Sequence, residues 1–191
     1  ERLNEVNKAI DAYQRAIVVK PEYPNAFNRI GELLLAKGDL DGAATNLRKA
    51  VELDKTSDRN HRNLGRVLLA QDRLPDAALE FAEAVRLGAK TAQNHYNMAV
   101  VLVELGKVEE AISYAAKAVE LDNKTPEHHY MLALCSDLLG LTDKAKQYYA
   151  SAIKLNASYV LPRVGLSIIQ MAENDLDGAL ANLQRALAVE P

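Results

Sequence analysis

Hydrophobic residues recur along this chain at a constant interval of 34 positions. One set of positions spaced by 34 contains large apolar residues: Ile30, Leu64, Met98, Leu132 and Leu166. Another set contains alanines: Ala43, Ala77, Ala111, Ala145 and Ala179. No insertion interrupts the register from one end of the chain to the other. A fixed period of this size is typical of a repeat array, in which each repeat is one supersecondary unit.

Each period contains two stretches with helical spacing of apolar residues. In the period that begins at residue 24, Phe27, Ile30 and Leu34 lie three or four positions apart, and Ala43 and Leu47 repeat that spacing further along. Apolar residues at this interval form one face of an amphipathic helix. The pattern therefore predicts a first and a second helix in every repeat.

The turn between the two helices of each repeat carries a residue that tolerates positive φ. Glycine, asparagine and aspartate adopt the left-handed conformation that ends a helix more readily than other residues do. We therefore expect a positive φ at one position in each repeat: Gly38, Asp72, Gly106, Gly140 and Asn174.

Composition and charge exclude several classes of protein. The chain is 49% hydrophobic and 26% charged with a net charge of −3, which describes an ordinary globular protein and not a disordered tail. Nucleic-acid binding is not expected, because it depends on a strongly basic surface. No apolar run approaches the length of a transmembrane helix, so direct membrane insertion is not expected either.

Cysteine usage and the chain ends give expectations about location. The single Cys135 favours a reducing compartment, and we expect a cytoplasmic protein. The chain begins at Glu1, without a methionine and in the middle of a repeat, so we expect a fragment of a longer protein.

Three histidines fall in the same register, at His61, His95 and His129. Equivalent positions on neighbouring repeats lie about 10 Å apart, the distance between packed helices, whereas zinc ligands all lie about 2 Å from one ion. We therefore interpret these histidines as large residues near the start of each first helix that pack against the previous repeat. No metal, cofactor or enzyme motif is present, and no catalytic residue is predicted.

The residues of two repeats resemble the tetratricopeptide repeat family. The stretches FNRIGELLL…GAATNLRKAVELD (27–54) and HRNLGRVLL…DAALEFAEAVRL (61–87) follow its pattern, with Gly31 and Gly65 where the two helices come into close contact. This resemblance implies an all-α, right-handed superhelical solenoid of antiparallel helix pairs. It implies a single domain over 1–191, with the second helix of a cut repeat at 1–23 and full repeats at 24–57, 58–91, 92–125, 126–159 and 160–191.

The family's known ligands mostly lie in a concave groove formed by the first helices. By resemblance, the second, fifth, sixth, ninth and twelfth residues of each repeat face that groove. Its first half is polar and cationic and its second half is apolar. The predicted peptide-binding residues are Asn28, Arg59, Arg62, Asn63, Arg66, Tyr96, Asn97, Val100, Tyr130, Leu134 and Ile168.

These positions predict a non-catalytic module that binds a segment of a partner protein. Asparagine amides can hold a peptide backbone, and the arginines can receive an acidic group. In the competing interpretation, Arg62 or Arg66 pairs with Glu32 of the preceding repeat as a solvated ion pair.

Two further functional alternatives remain open. The chain can be a scaffold that self-associates through its terminal repeats, where Leu180, Leu183 and Leu187 would be partly bare. It can also supply the substrate-receptor repeats of an enzyme, for example a glycosyltransferase, whose catalytic domain lies outside this chain.

Overall fold

The structure is a computed structural model that describes residues 2–189, with side chains from residue 5 onward. Eleven α-helices and no strand occupy that range. Their bounds are α1 Arg2–Val19, α2 Pro24–Lys37, α3 Leu40–Leu53, α4 Asp58–Ala70, α5 Leu74–Leu87, α6 Ala92–Glu104, α7 Val108–Leu121, α8 Pro126–Leu138, α9 Thr142–Leu155, α10 Val160–Ala172 and α11 Leu176–Leu187.

The turns inside the repeats have the predicted conformation. Gly38, Asp72, Gly106, Gly140 and Asn174 all have φ between 59° and 82°. At the first of these turns, the N–H groups of residues 38 and 39 donate to the carbonyl oxygens of residues 35 and 34. These bonds satisfy carbonyls that would otherwise be left unpaired at the helix end. The chain therefore reverses within about two residues and returns as the second helix.

Each first helix packs along the second helix of its own repeat. The pairs are α2 with α3, α4 with α5, α6 with α7, α8 with α9, and α10 with α11. A short reversing turn between two helices that stay in contact makes each pair antiparallel. The predicted all-α class and its helix pairs are confirmed.

The chain divides into two compact units, Glu1–Ala89 and Lys90–Pro191. Unit 1 contains α1 to α5, and its first helices α2 and α4 are in contact. Unit 2 contains α6 to α11, where α8 contacts both α6 and α10. The division into repeats, and a single domain over 1–191, stay predictions.

Two glycines allow close helix packing in unit 1, as the sequence pattern indicated. A Cβ atom at Gly31 would lie 2.5 Å from Cγ of Leu47, and one at Gly65 would lie 2.6 Å from Cε1 of Phe81. Leu47 and Phe81 are completely buried. Each glycine therefore makes room for the large side chain that fills the core of its repeat.

No helix among the described residues combines the length and the apolar character that crossing a bilayer requires.

Candidate functional site

The predicted binding residues fall on the first helices, and we name these surfaces the first-helix faces. The first-helix face of unit 1 consists of the groove positions of α2 and α4, and that of unit 2 consists of the groove positions of α6, α8 and α10. The structure places Asn28, Arg59, Arg62, Asn63 and Arg66 on the first, and Tyr96, Asn97, Val100, Tyr130, Leu134 and Ile168 on the second.

A buried asparagine network joins α2 to α4 in unit 1. Asn28 donates to Oδ1 of Asn60 at 2.8 Å, and Asn63 donates to Oδ1 of Asn28 at 3.1 Å. Asn60 in turn donates to the carbonyl oxygen of Ala50 at 3.1 Å. All three amide side chains are at most 3% exposed. Buried amides require hydrogen-bond partners, and here they supply one another.

Burial gives Asn28 and Asn63 a structural role that the sequence did not suggest. Both of their donor groups are used within unit 1, and Asn60, which was not predicted from the sequence, completes the network. Asn60 lies at the third position of its repeat, where the chain has Asn94 and His128 in the next two repeats. That row of polar residues inside an amphipathic helix is the signal that could have revealed it.

Glu32 on α2 accepts hydrogen bonds from three side chains. Arg59 donates to both of its carboxylate oxygens at 3.0 Å, Asn63 donates to Oε1 at 2.7 Å, and Arg29 donates to Oε2 at 2.8 Å. Partial burial raises the pKa of Glu32, but the three hydrogen bonds outweigh that effect and leave the pKa lowered. Glu32 is therefore held as a carboxylate on the first-helix face of unit 1.

The arginines of α4 have different surroundings, which corrects the ion pairs considered from the sequence. Arg59 pairs with Glu32, where the sequence pointed to Arg62 or Arg66, and Arg62 pairs with Asp58 at 3.4 Å. Burial lowers the pKa of Arg62, and nearby positive charges lower it further against the opposing effect of Asp58. Arg66 is exposed and forms no ion pair with any residue that the structure describes.

The first-helix face of unit 1 is therefore cationic. Four guanidinium groups, those of Arg29 and of the three α4 arginines, lie beside the two carboxylates of Glu32 and Asp58, which leaves a net charge of +2. Arginine binds carboxylates through paired hydrogen bonds, so this face can receive an anionic side chain.

The first-helix face of unit 2 is aromatic. The ring of Tyr130 lies 5.4 Å from that of Tyr159 in an edge-to-face arrangement and 6.1 Å from that of Tyr149, measured between ring centroids. The ring of Tyr96 lies 5.5 Å from that of His128. Aromatic pairs at these separations contribute beyond the area that they bury. Burial raises the pKa of both Tyr96 and Tyr130, so their hydroxyl groups stay protonated at neutral pH.

Apolar side chains extend this face along α10. Ile168 is 54% exposed, and Leu161 and Met171 on the same helix are also exposed. Val100 and Leu134, on the two neighbouring first helices, are half-buried. The exposed side chains lie at groove positions, where they contribute little to the core of their own repeat.

Asn97 differs from its counterpart Asn63, although both are the sixth residue of a repeat. Its Oδ1 accepts a hydrogen bond from Gln93 at 3.0 Å, while its Nδ2 is buried and has no partner among the described residues. An unpaired buried donor is costly. Beneath the first-helix face of unit 2, Asn97 therefore keeps an amide donor that is unpaired and that solvent does not reach.

Two of the periodic histidines, His61 and His129, bond the turn that precedes their helix. Nδ1 of His61 lies 2.7 Å from Oε2 of Glu80 on the second helix of its own repeat, and its Nε2 lies 3.2 Å from the carbonyl oxygen of Lys55. His129 likewise contacts the carbonyl oxygen of Asn123 through Nε2. The rings of His61 and His129 therefore bond the turn that ends the previous repeat, as expected, and His61 also contacts Glu80 in its own repeat.

Arg163 continues the histidine row and was missed from the sequence. It lies 34 residues after His129, is buried, and donates to the carbonyl oxygen of Ala157 at 3.1 Å. Residues 5–189 contain no group of three or more histidine, cysteine or acidic side chains that could hold a metal ion.

Family models match most of the chain. A model described as TPR repeat matches residues 2–38 and 31–72, and one described as Tetratricopeptide repeat matches residues 96–160. The chain belongs to the tetratricopeptide repeat family. Proteins of this family are generally non-catalytic modules. Comparison with curated proteins gave no match.

Solved structures of tetratricopeptide repeat proteins share the fold. YrrB, described as a TPR protein with an unusual peptide-binding site, is 23% identical, with 95% of this chain and 94% of that chain covered and a TM-score of 0.75. Pseudomonas aeruginosa pilF is 22% identical, with 98% and 79% covered and a TM-score of 0.80. The Cut9–Hcn1 hetero-tetramer of APC/C gives 16% identity, 98% and 38% coverage and a TM-score of 0.87. At these identities the likeness establishes the fold alone.

Proposed function

We propose that this tetratricopeptide repeat chain is a non-catalytic interaction module that binds a segment of a partner protein on its first-helix faces. The observation that carries the proposal is that side chains able to bind a ligand are exposed at positions where they contribute little to the packing of their own repeat. Unit 1 presents the unpaired Arg66, and unit 2 presents the exposed side chains of Leu161, Ile168 and Met171. Exposed apolar groups next to polar ones are typical of a protein interaction surface.

In this proposal the first-helix face of unit 1 recognises an acidic side chain. Arg66 and Arg62 contact the ligand carboxylate, and Arg59 stays with Glu32, which already accepts both of its hydrogen bonds. Asn28 and Asn63 act indirectly, because they fix the relative positions of α2 and α4.

The first-helix face of unit 2 recognises apolar groups and backbone. Ile168 and Leu134 bind apolar side chains, with the half-buried Val100 at the edge of the same surface. Asn97 lies beneath this surface and accepts a hydrogen bond from the exposed Gln93, which is the amide that can bond the backbone of the partner. The rings of Tyr96 and Tyr130 offer rigid contact area, which costs little side-chain entropy on binding.

Two structural neighbours make this proposal reasonable. YrrB is described as having a peptide-binding site, and Cut9 is found in a complex with Hcn1. A groove that holds an extended or helical segment is a recurring mode of peptide recognition.

The proposal is tested by a pull-down with partner identification by mass spectrometry on matched pairs of variants. Arg66→Glu is compared with Arg48→Glu, an exposed arginine on the second helix α3, and Ile168→Glu is compared with Leu79→Glu, an exposed leucine on α5. A specific partner should be lost with the first member of each pair and kept with the second. Retention of that partner by both first-helix variants would contradict the proposal.

Self-association is a second candidate, and exposed leucines on α11 favour it. Leu176, Leu180 and Leu187 are each more than half exposed. A second copy of the chain could cover them, as could another segment of a longer protein. Light scattering at increasing protein concentration separates the possibilities, because a peptide-binding module keeps a constant mass while a self-associating scaffold gains mass.

A further inference from the structure

Two tyrosines and one carboxylate, Tyr96, Tyr130 and Glu127, lie at groove positions of the first-helix face of unit 2, and a third tyrosine, Tyr159, borders it. Tyr130 on α8 contacts the ring of Tyr159, the residue that precedes α10, at 5.4 Å between centroids. Burial is the main cause of the raised pKa of both Tyr96 and Tyr159; the negative charge of Glu127, one turn before Tyr130 on α8, adds to it, for Tyr159 after the larger effects of Tyr96 and Tyr130. Glu127 and Tyr130 share one face of α8, and the ring of Tyr96 lies 5.5 Å from that of His128, the residue after Glu127, so the carboxylate lies in the neighbourhood of these rings.

Glu127 has no counter-charge within the structure. It is exposed and forms no ion pair with any residue between 5 and 189. The groove positions of α6, α8 and α10 include a second acid, Asp137, and no lysine, arginine or histidine. The first-helix face of unit 2 is thus negatively charged, while that of unit 1 is positively charged.

Rings and a carboxylate in one place bind a cation by two mechanisms. A guanidinium or ammonium group within about 6 Å of a phenol ring is attracted by the ring quadrupole. The planar guanidinium of arginine can also stack on the ring while its edge donates to a carboxylate. An acidic ligand side chain would be repelled by Glu127, and a purely apolar one would remove water from that carboxylate without replacing its hydrogen bonds.

We infer that the first-helix face of unit 2 contains a subsite for a basic side chain of the partner segment, preferably arginine. The guanidinium lies over the rings of Tyr96 and Tyr130, beside Tyr159, and pairs with Glu127. This inference rests on the proposed function and adds the chemistry that the partner must supply. The partner segment then requires an arginine among apolar residues where it meets unit 2.

An NMR titration of the full chain with three short peptides tests the subsite. The probes are acetyl-Ala-Leu-Arg-Leu-Ala-amide and the same peptide with citrulline or glutamate in place of arginine. Citrulline has nearly the shape of arginine without its charge. We expect the arginine peptide to shift the resonances of the three tyrosines and to bind roughly fivefold or more tightly than the citrulline peptide. The glutamate peptide should bind most weakly.

Substitutions at Glu127 and Tyr130 test the contributions of the carboxylate and of the rings separately. Glu127→Gln should remove most of the preference for arginine over citrulline, while Glu109→Gln, at an exposed position in the first turn of the second helix α7, should keep it. Tyr130→Phe retains a ring and should keep most of the affinity, whereas Tyr130→Leu should lose it. Tyr130→Phe also controls for folding, because it preserves the packing against Tyr159.

Two results would overturn the inference. Equal affinity for the arginine and citrulline peptides would show that the charge is not recognised, and an absence of shifts at the three tyrosines would show that the site is not there. If the pull-down places a partner on the first-helix faces while either result is obtained, the subsite is refuted and the proposed function stands. If arginine binding is confirmed but no partner depends on Arg66 or Ile168, the proposed function is refuted instead.

Discussion

Asn63 and Asn97 provide a matched test of what the buried amides do. They are the same residue type at the sixth position of successive repeats, and both are at most 6% exposed. Nδ2 of Asn63 donates to Asn28 and to Glu32, whereas Nδ2 of Asn97 has no partner among the described residues. Replacing each by alanine should therefore have different effects on stability.

The size of each loss of unfolding free energy depends on the hydrogen-bond partners that the substitution leaves unpaired. Asn63→Ala removes a donor from the buried Oδ1 of Asn28 and from the carboxylate of Glu32. An unsatisfied buried polar group costs about 1–3 kcal/mol, so we expect a loss of about 2–4 kcal/mol in unfolding free energy. Asn97→Ala removes one hydrogen bond from Gln93, which is exposed and can bond water, and also removes an unpaired donor. Its net effect should stay within about 1 kcal/mol.

The assay combines urea unfolding, followed by circular dichroism, with hydrogen exchange of the α2, α4 and α6 amides. Local measurements are needed because the stability of a repeat array is approximately a sum of repeat and interface terms. Asn63→Ala should speed exchange in α2 and α4, and Asn97→Ala should change exchange in α6 little. Equal losses in the two variants, or a negligible loss for Asn63→Ala, would refute the reasoning from hydrogen-bond partners.

Three further predictions concern pH, packing and thiol chemistry. The pKa of Glu32 is lowered in the folded state, so its contribution to stability is present at neutral pH and is lost as the pH falls below about 4.5. In Glu32→Gln the unfolding free energy should therefore depend less on pH in this range, which urea unfolding at several pH values measures. Gly65→Ala should destabilise the fold by about 1–3 kcal/mol, because the added methyl group contacts the Phe81 ring. A double-mutant cycle should show a much smaller loss in a Phe81→Ala background, and additive losses would contradict this packing account. Cys135 is completely buried, and burial raises the pKa of its thiol to about 11, so a thiol reagent at pH 8 should modify it only on unfolding; rapid modification of the native protein would contradict the buried position.

The repeat architecture could be predicted from the sequence because its determinants are local. Helical spacing of apolar residues depends only on neighbouring positions, and the left-handed turns depend on residue type at one position. Asp72 and Asn174 show this well, since neither is glycine and both have positive φ as expected. The close contacts at Gly31 and Gly65 followed from the resemblance to a known pattern.

The burial and the bonding partners of each site residue could not be predicted, because they depend on contacts between repeats. The sequence places Asn63 and Arg66 on one helical stripe, but three residues of separation put one in a buried network and leave the other exposed. Which arginine pairs with Glu32 depends on the register of α4 against α2. A helical wheel contains no information on that register.

Site-specific photocrosslinking in cells most directly tests the claim that the first-helix faces bind a partner protein. A photoreactive amino acid is introduced singly at Arg66 and Ile168 on first helices, and at the exposed second-helix positions Thr45 and Ala116 as controls. The account predicts that both first-helix positions crosslink to the same partner and that neither control does. Crosslinks to that partner from the second-helix positions, without crosslinks from Arg66 or Ile168, would contradict it.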